Sequence, residues 1–75
     1  MSYVRRFTAM TYREDDGYVS LCPELDVASQ GVSVEEASAN LREAVELFIE
    51  SADASEIEGR LRGEMYVTAL EVTSC

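Results

Sequence analysis

Alternating apolar and polar positions in the first thirty residues predict three short β-strands. Residues 3–13 and residues 18–22 are rich in aromatic, β-branched and threonine side chains, which favour strands. Between them, residues 14–17 end in an Asp-Gly pair and predict a hairpin turn, because that pair tolerates the positive φ of tight turns. Pro23 cannot donate a backbone hydrogen bond, which predicts a corner before a third strand over residues 27–30.

One long amphipathic helix is predicted after the third strand, which should end at Gly31. Ser33 is a favourable N-cap, and Glu36 three residues later completes a capping box. Residues 34–52 then follow helical spacing, and their apolar stripe consists of Val34, Ala37, Leu41, Ala44, Val45, Phe48 and Ala52. Glutamates occupy the opposite side, so the helix should cover one face of the sheet.

The last third of the chain predicts a connection followed by a strand. Residues 53–63 are polar and contain two glycines, which is typical of a connection, and Leu61 is expected to tuck inward. Residues 64–73 are rich in β-branched side chains and predict a final strand. The predicted fold class is α+β, with the order β-β-β-α-β in a single domain over residues 1–75.

Both faces of the predicted sheet carry apolar residues. In the first strand, Phe7 and Ala9 face one way. Val4, Met10 and Tyr12 face the other way. Since one helix covers only one face, the other face is a candidate interface. The alternative explanation is that tyrosine and threonine simply tolerate solvent.

Length and cysteine content indicate how this domain is stabilised and in which compartment it is expected. A chain of 75 residues buries a small core, so self-association is the leading route to stability. The N-terminus has no apolar run after its arginines, and no stretch approaches the ~20 apolar residues of a membrane span. We therefore expect a cytoplasmic protein with no membrane contact, in which Cys22 and Cys75 are free thiols.

The charge of the chain favours a basic partner. Six arginines and no lysine stand against fifteen acidic residues, for a net charge of −9. Such a charge repels phosphate backbones, so no direct nucleic-acid binding is expected. The acidity would equally serve solubility alone.

The residues predict no catalytic site and no cofactor. The chain has no histidine to act as a base for a serine or cysteine nucleophile, and no glycine-rich phosphate loop. Four carboxylates remain as metal ligands: Asp15, Asp16, Glu24 and Asp26. They lie at opposite ends of the second strand, too far apart to share an ion, so neither a metal nor an enzyme is expected.

Residues 16–50 combine features that resemble the HicB family of small antitoxins. The motifs, in order, are Asp16-Gly17-Tyr18-Val19, Cys22-Pro23-Glu24-Leu25-Asp26, Ser29-Gln30-Gly31, Glu35-Glu36-Ala37 and Leu41-Arg42-Glu43-Ala44. The resemblance implies a reduced RNase H-like fold without catalytic acids, in which the three strands form an antiparallel meander and the C-terminal strand lies beside the first. It also implies a small basic partner of the HicA type, an mRNA-cleaving toxin, and a homo-oligomer such as a dimer or tetramer.

Two departures from the family pattern bear on function. Many HicB proteins have Pro-Gly after the leucine of the corner, whereas this chain has Asp26-Val27. Full antitoxins of this family carry a C-terminal DNA-binding domain. The chain ends at Cys75 without room for one, so we do not expect it to repress transcription by itself.

The sequence thus predicts a non-enzymatic, HicB-like antitoxin-type domain in a toxin-antitoxin system. Its predicted partner-binding residues are Tyr18, Glu24, Leu25 and Asp26. The first alternative is an orphan HicB-like domain that self-assembles and has another protein partner or none. The second is a metal-dependent nuclease.

Overall fold

A three-stranded sheet with helices on one side forms the body of the molecule. The computed structural model describes residues 5–63 and 65–74. Its elements are β1 (Met10–Glu14), β2 (Gly17–Cys22), β3 (Val27–Gly31), α1 (Val34–Ser51) and α2 (Ala54–Leu61). The sheet is antiparallel with the order β1-β2-β3, which confirms the α+β class and the predicted order of the first four elements.

The β1-β2 hairpin closes through a two-residue turn. Glu14 pairs with Gly17, so Asp15 and Asp16 form the loop. The turn was predicted, but the residue with positive φ is Asp15, at 53°, and not the glycine. Gly17 serves a different purpose, because a Cβ there would lie 3.0 Å from the Gly31 carbonyl oxygen on β3.

A line of hydroxyl side chains crosses the helix side of the sheet. Thr11 pairs with Ser20, which pairs in turn with Ser29. Ser20 is fully buried, and its hydroxyl shares a hydrogen bond of 2.9 Å with the Thr11 hydroxyl. Because side chains alternate along a strand, Cys22 faces the helices as well, while its neighbour Leu21 faces away.

Helix α1 begins where the sequence predicts and is held close to the end of β3. The Ser33 hydroxyl accepts a hydrogen bond of 3.1 Å from the Glu36 amide, which satisfies an otherwise unpaired donor of the first turn. A Cβ at Gly31 would lie only 2.5 Å from the Ala37 amide nitrogen. The Asn40 side chain donates to the Gln30 carbonyl at 2.8 Å, which ties α1 to β3 a turn further on.

The core lies between the sheet and both helices. Leu25, Cys22 and Leu41 are its buried centre, and the half-buried side chains packed around them are Phe7, Val27, Val45, Phe48 and Ile49. Ile57 of α2 is also buried. No helix in the described part of the chain is long and apolar enough to cross a bilayer.

Helix α2 corrects the prediction of a connection over residues 53–63. Ala54, Ile57 and Leu61 follow helical spacing, and burial of Ile57 offsets the cost of placing Gly59 in a helix. Leu61, which was expected to tuck inward, is 39% exposed.

Both ends of the chain differ from the predicted strands. The first strand begins at Met10, because residues 5–9 adopt irregular structure, and residues 3–4 lie outside the described part. Residues 65–74 form no helix and pair with no strand of the sheet, so the predicted final strand is not seen there. Residue 64 of that predicted strand also lies outside the described residues. We call residues 65–74 the tail.

Candidate protein-binding face

Neither helix covers the side of the sheet opposite to Ser20 and Cys22. By the strand register, the outward side chains are Met10, Tyr12, Val19, Leu21, Ala28 and Gln30, which we call the open face. Met10 is 42% exposed and Tyr12 is 50% exposed. Exposed apolar side chains grouped on one face of a sheet often mark an interaction site.

Acidic side chains stand at the hairpin end of the open face. Glu14 closes β1, and Asp15 and Asp16 form the turn that follows it. All three side chains are exposed. The open face therefore combines an apolar centre with a negatively charged end, which complements a basic surface.

At the other end of β2, the corner of residues 23–26 is fixed by Glu24. Its carboxylate accepts hydrogen bonds from the Thr8 amide at 3.0 and 2.8 Å and from the Thr8 hydroxyl at 2.7 Å. Partial burial alone would raise the pKa of Glu24, but the bonds from Thr8 favour the ionised carboxylate and lower the pKa below its ordinary value. Glu24 thereby ties the segment before β1 to the corner.

Helix α2 fixes the same corner from a second side through Arg60. The Arg60 guanidinium donates to the Leu25 carbonyl, pairs with Glu56 at 3.3 Å and lies 4.5 Å from the centre of the Phe48 ring. The Leu25 side chain itself is fully buried. These contacts give the corner a structural role that could not be predicted from the sequence.

The four predicted partner-binding residues do not form one surface. Tyr18 is half-buried at the hairpin end of β2, while the corner residues lie past the other end of that strand. Glu24 is engaged with Thr8, and Leu25 offers a partner no surface while it remains in the core. Asp26 is exposed, with a φ of 55°.

The predicted contact residues do not include Val19 and Leu21, which lie on the open face beside Met10 and Tyr12. The signal was present, because the same two-residue alternation that separates Met10 from Ala9 also separates Leu21 from Cys22. The predicted set followed the family-like corner, whereas the open face depends on the pairing of all three strands.

Cys22 has the environment of a packed side chain. It is a free cysteine with 1% exposure. Burial raises the pKa of its thiol, and the charge of the nearby Glu24 raises it further. The thiol therefore stays protonated at neutral pH and contributes to the core.

The carboxylates that were weighed as metal ligands remain apart. Asp15 and Asp16 precede β2, and Glu24 and Asp26 follow it. Within residues 5–63 and 65–74, no three aspartate, glutamate or cysteine side chains are grouped so that they could hold a metal ion.

A second apolar feature lies on the helix side, next to β1. Helix α1 packs over β3 and β2 and leaves a groove of about 730 Å³ beside residues 5–9, which we call the edge groove. Its apolar lining includes Phe7, Ala9, Leu41, Val45, Ile49 and Ile57. Arg5 stands on its border, together with Arg42 and Glu46, which pair at 3.3 Å.

Comparisons with protein-family models, with curated proteins and with solved structures find no match to this chain. The resemblance to HicB antitoxins rests on the sequence motifs given above.

Proposed function

We propose that this chain is a non-enzymatic, HicB-like antitoxin-type domain that binds and neutralises a small basic HicA-like toxin. The observation that carries the proposal is the open face, where apolar side chains remain uncovered beside a cluster of carboxylates. The net charge of −9 supports a basic partner over a nucleic acid. The sequence motifs supply the class of that partner.

In the proposed mechanism, charge guides the encounter and apolar contacts hold the complex. Glu14, Asp15 and Asp16 attract the basic toxin and orient it. Met10 and Tyr12 then serve as anchors, because large side chains at the centre of an interface carry most of the binding energy. The bound domain blocks access of RNA to the toxin. Among the predicted corner residues, Asp26 remains a contact at the rim, and Glu24 acts by holding the corner in shape.

The proposal includes a C-terminal strand. The tail would form a fourth strand beside β1, as in a reduced RNase H-like domain, and extend the sheet at that edge. The proposed setting is the cytoplasm, where Cys22 stays reduced.

Co-purification with a small basic protein encoded next to this chain tests the proposal. We expect the untagged toxin to be retained by the tagged domain and its RNA cleavage to be inhibited. Tyr12→Arg should weaken binding by about 30-fold or more, because it places a cation in the centre of the interface. Leu47→Arg is the matched control, since Leu47 is 61% exposed on α1 and lies outside the open face.

Two results would contradict the proposal. One is the absence of binding to any small basic ribonuclease. The other is equal loss of binding with Tyr12→Arg and Leu47→Arg. That result would mean that the toxin contacts another surface, or that binding depends only on the net charge of the domain.

The second candidate function is an orphan domain that assembles with copies of itself and binds no toxin. The observation that favours it is the apolar tail, whose Leu70 and Val72 are 85% and 72% exposed. Sedimentation of the pure protein tests it. A monomer at micromolar concentration rejects self-assembly and leaves toxin binding intact, whereas an oligomer is compatible with both functions.

A further inference from the structure

We infer that the tail of one copy forms a strand along the free edge of β1 in a second copy, and that the second copy returns the same contact. The inferred interface is a reciprocal exchange of C-terminal strands. It rests on the proposed fourth strand and goes beyond toxin binding, because it states that the β1 edge belongs to a second copy and that the tail of that partner fills the edge groove.

The tail has the alternating pattern of a strand. Residues 65–74 alternate between two sides, with Met65, Val67 and Ala69 on one and Leu70 and Val72 on the other. Among the described residues, five of the eleven exposed large apolar side chains lie in this segment: Met65, Tyr66, Val67, Leu70 and Val72. An apolar segment of this kind is stabilised by pairing with a sheet edge.

The edge of β1 offers the place that such a strand needs. β1 pairs only with β2 in the described sheet, so no described strand occupies the backbone donors and acceptors of its other edge. The opposite edge, on β3, is different because α1 lies over it and Asn40 already occupies the Gln30 carbonyl. The edge groove next to β1 supplies an apolar floor formed by Phe7 and Ala9.

Charge indicates which side of the tail enters the edge groove. Glu71 is the charged residue of the described tail, and it shares a side with Met65 and Val67. Arg5 borders the edge groove, and Arg13 lies on the helix side of β1. With Val67 in the groove, Glu71 lies on the side of the inserted strand that carries these arginines. Leu70 and Val72 then lie beside Met10 and Tyr12 and enlarge the open face.

The dimensions of the chain favour a second copy over the chain's own edge. The Cα radius of gyration is 14.6 Å, against about 11 Å for a compact domain of this length. The longest extent is 51 Å and the other two are 29 and 19 Å. The described tail is exposed throughout and pairs with no strand of its own sheet. Reciprocal exchange about a twofold axis fills two edges and covers two tails in one closed interface.

Sedimentation equilibrium of the full chain, with and without Ala69→Pro, tests the inference. We expect a dimer at micromolar concentration. Proline at position 69 removes a backbone donor from the pairing strand and should raise the dimer dissociation constant by about 30-fold or more. Val67→Arg should act similarly, since it brings a cation next to Arg5. Leu47→Arg, the exposed control on α1, should leave the dimer unchanged.

Far-UV circular dichroism checks that the variants are folded. The substitutions lie in the tail, so the spectrum of the described helices and β1–β3 should be unchanged. A synthetic peptide of residues 64–75 should compete and convert dimers into monomers. A full chain that is monomeric, or a dimer that withstands Ala69→Pro and the peptide, would overturn the inference. Toxin retention by monomeric Ala69→Pro would separate this interface from the proposed function.

Discussion

The absence of a side chain at Gly31 lets the end of β3 approach α1 closely. Gly31 has ordinary negative φ, so its value here lies in space and not in conformational freedom. The Ala37 amide and the backbone of Glu36 occupy the volume that a Cβ would need. Since backbone atoms of a capped first turn cannot rotate away, the strand end and the helix would have to separate.

Gly31→Ala should destabilise the domain by about 2–3 kcal/mol, because overpacking against backbone forces a shift of α1. Urea unfolding followed by circular dichroism measures the loss as a lower midpoint. Gly63→Ala is the control, since a Cβ there meets no atom within 4 Å, and its free energy of unfolding should change by less than about 0.5 kcal/mol. Equal stability of the two variants would contradict the close approach.

Glu24 gives the corner a pH dependence. Its pKa is lower in the folded state than its ordinary value of 4.5, so the native state favours the ionised carboxylate. The stabilisation is therefore fully present above pH 4.5 and is lost as the pH falls through the lower folded-state pKa. Glu24→Gln should cost about 1–2 kcal/mol at pH 7, since it weakens charge-assisted hydrogen bonds from Thr8.

Urea unfolding at a series of pH values measures this dependence. The stability difference between the wild type and Glu24→Gln should shrink towards acid pH. Glu43→Gln, an exposed substitution on α1, should show no such convergence. A constant difference across the series would mean that Glu24 acts through packing and not through its charge.

At the scale of elements, α2 is the part that the sequence predicted least well. Two glycines and a polar composition pointed to a connection, yet the segment is helical and buries Ile57. Arg60 fastens this short helix to the corner and to Phe48. Tertiary contacts of Ile57 and Arg60 therefore offset a weak local preference.

Gly59→Ala should stabilise α2. Gly59 lies inside the helix, and a Cβ there would meet open space. Alanine lowers the cost of the helical backbone by about 0.8–1 kcal/mol relative to glycine, so the urea midpoint should rise. A fall in the midpoint would contradict this and would mean that another molecule contacts the surface near Gly59. If that molecule is a second copy, the midpoint should depend on protein concentration.

Elements with a strong local signal were predictable, and elements fixed by distant contacts were not. The N-cap of Ser33 and the stripe that contains Leu41 placed α1 within a residue of its observed ends. Strand alternation also placed Met10 and Tyr12 on the uncovered side of the sheet. The role of Glu24 escaped prediction because its partner Thr8 lies sixteen positions away, in a segment with no regular structure.

For the whole molecule, the two proposed interfaces depend on charge in opposite ways. Each copy carries a net charge of −9, so two copies repel one another. A basic toxin is attracted by the same charge. Salt screens both effects, because the Debye length falls as ionic strength rises.

Raising sodium chloride from about 50 mM to about 500 mM should therefore strengthen the dimer and weaken the toxin complex. Sedimentation equilibrium measures the first equilibrium, and stopped-flow association measures the second, where the association rate should fall more than the dissociation rate rises. Weakening of both complexes by salt would indicate that ion pairs such as those of Glu71 dominate the dimer.

The hydroxyl pair of Thr11 and Ser20 acts as a check on hairpin pairing. Slippage of β1 by one position would turn Tyr12 towards α1 and leave the Ser20 hydroxyl sealed in the interior without a partner. Stranding that hydroxyl costs about 1–3 kcal/mol, a large share of the stability of so small a domain. A mispaired hairpin is thus disfavoured by the buried, unpaired hydroxyl as well as by poor packing. The apolar side chains of Met10 and Tyr12 therefore stay on the outer face of the sheet, where other molecules can contact them.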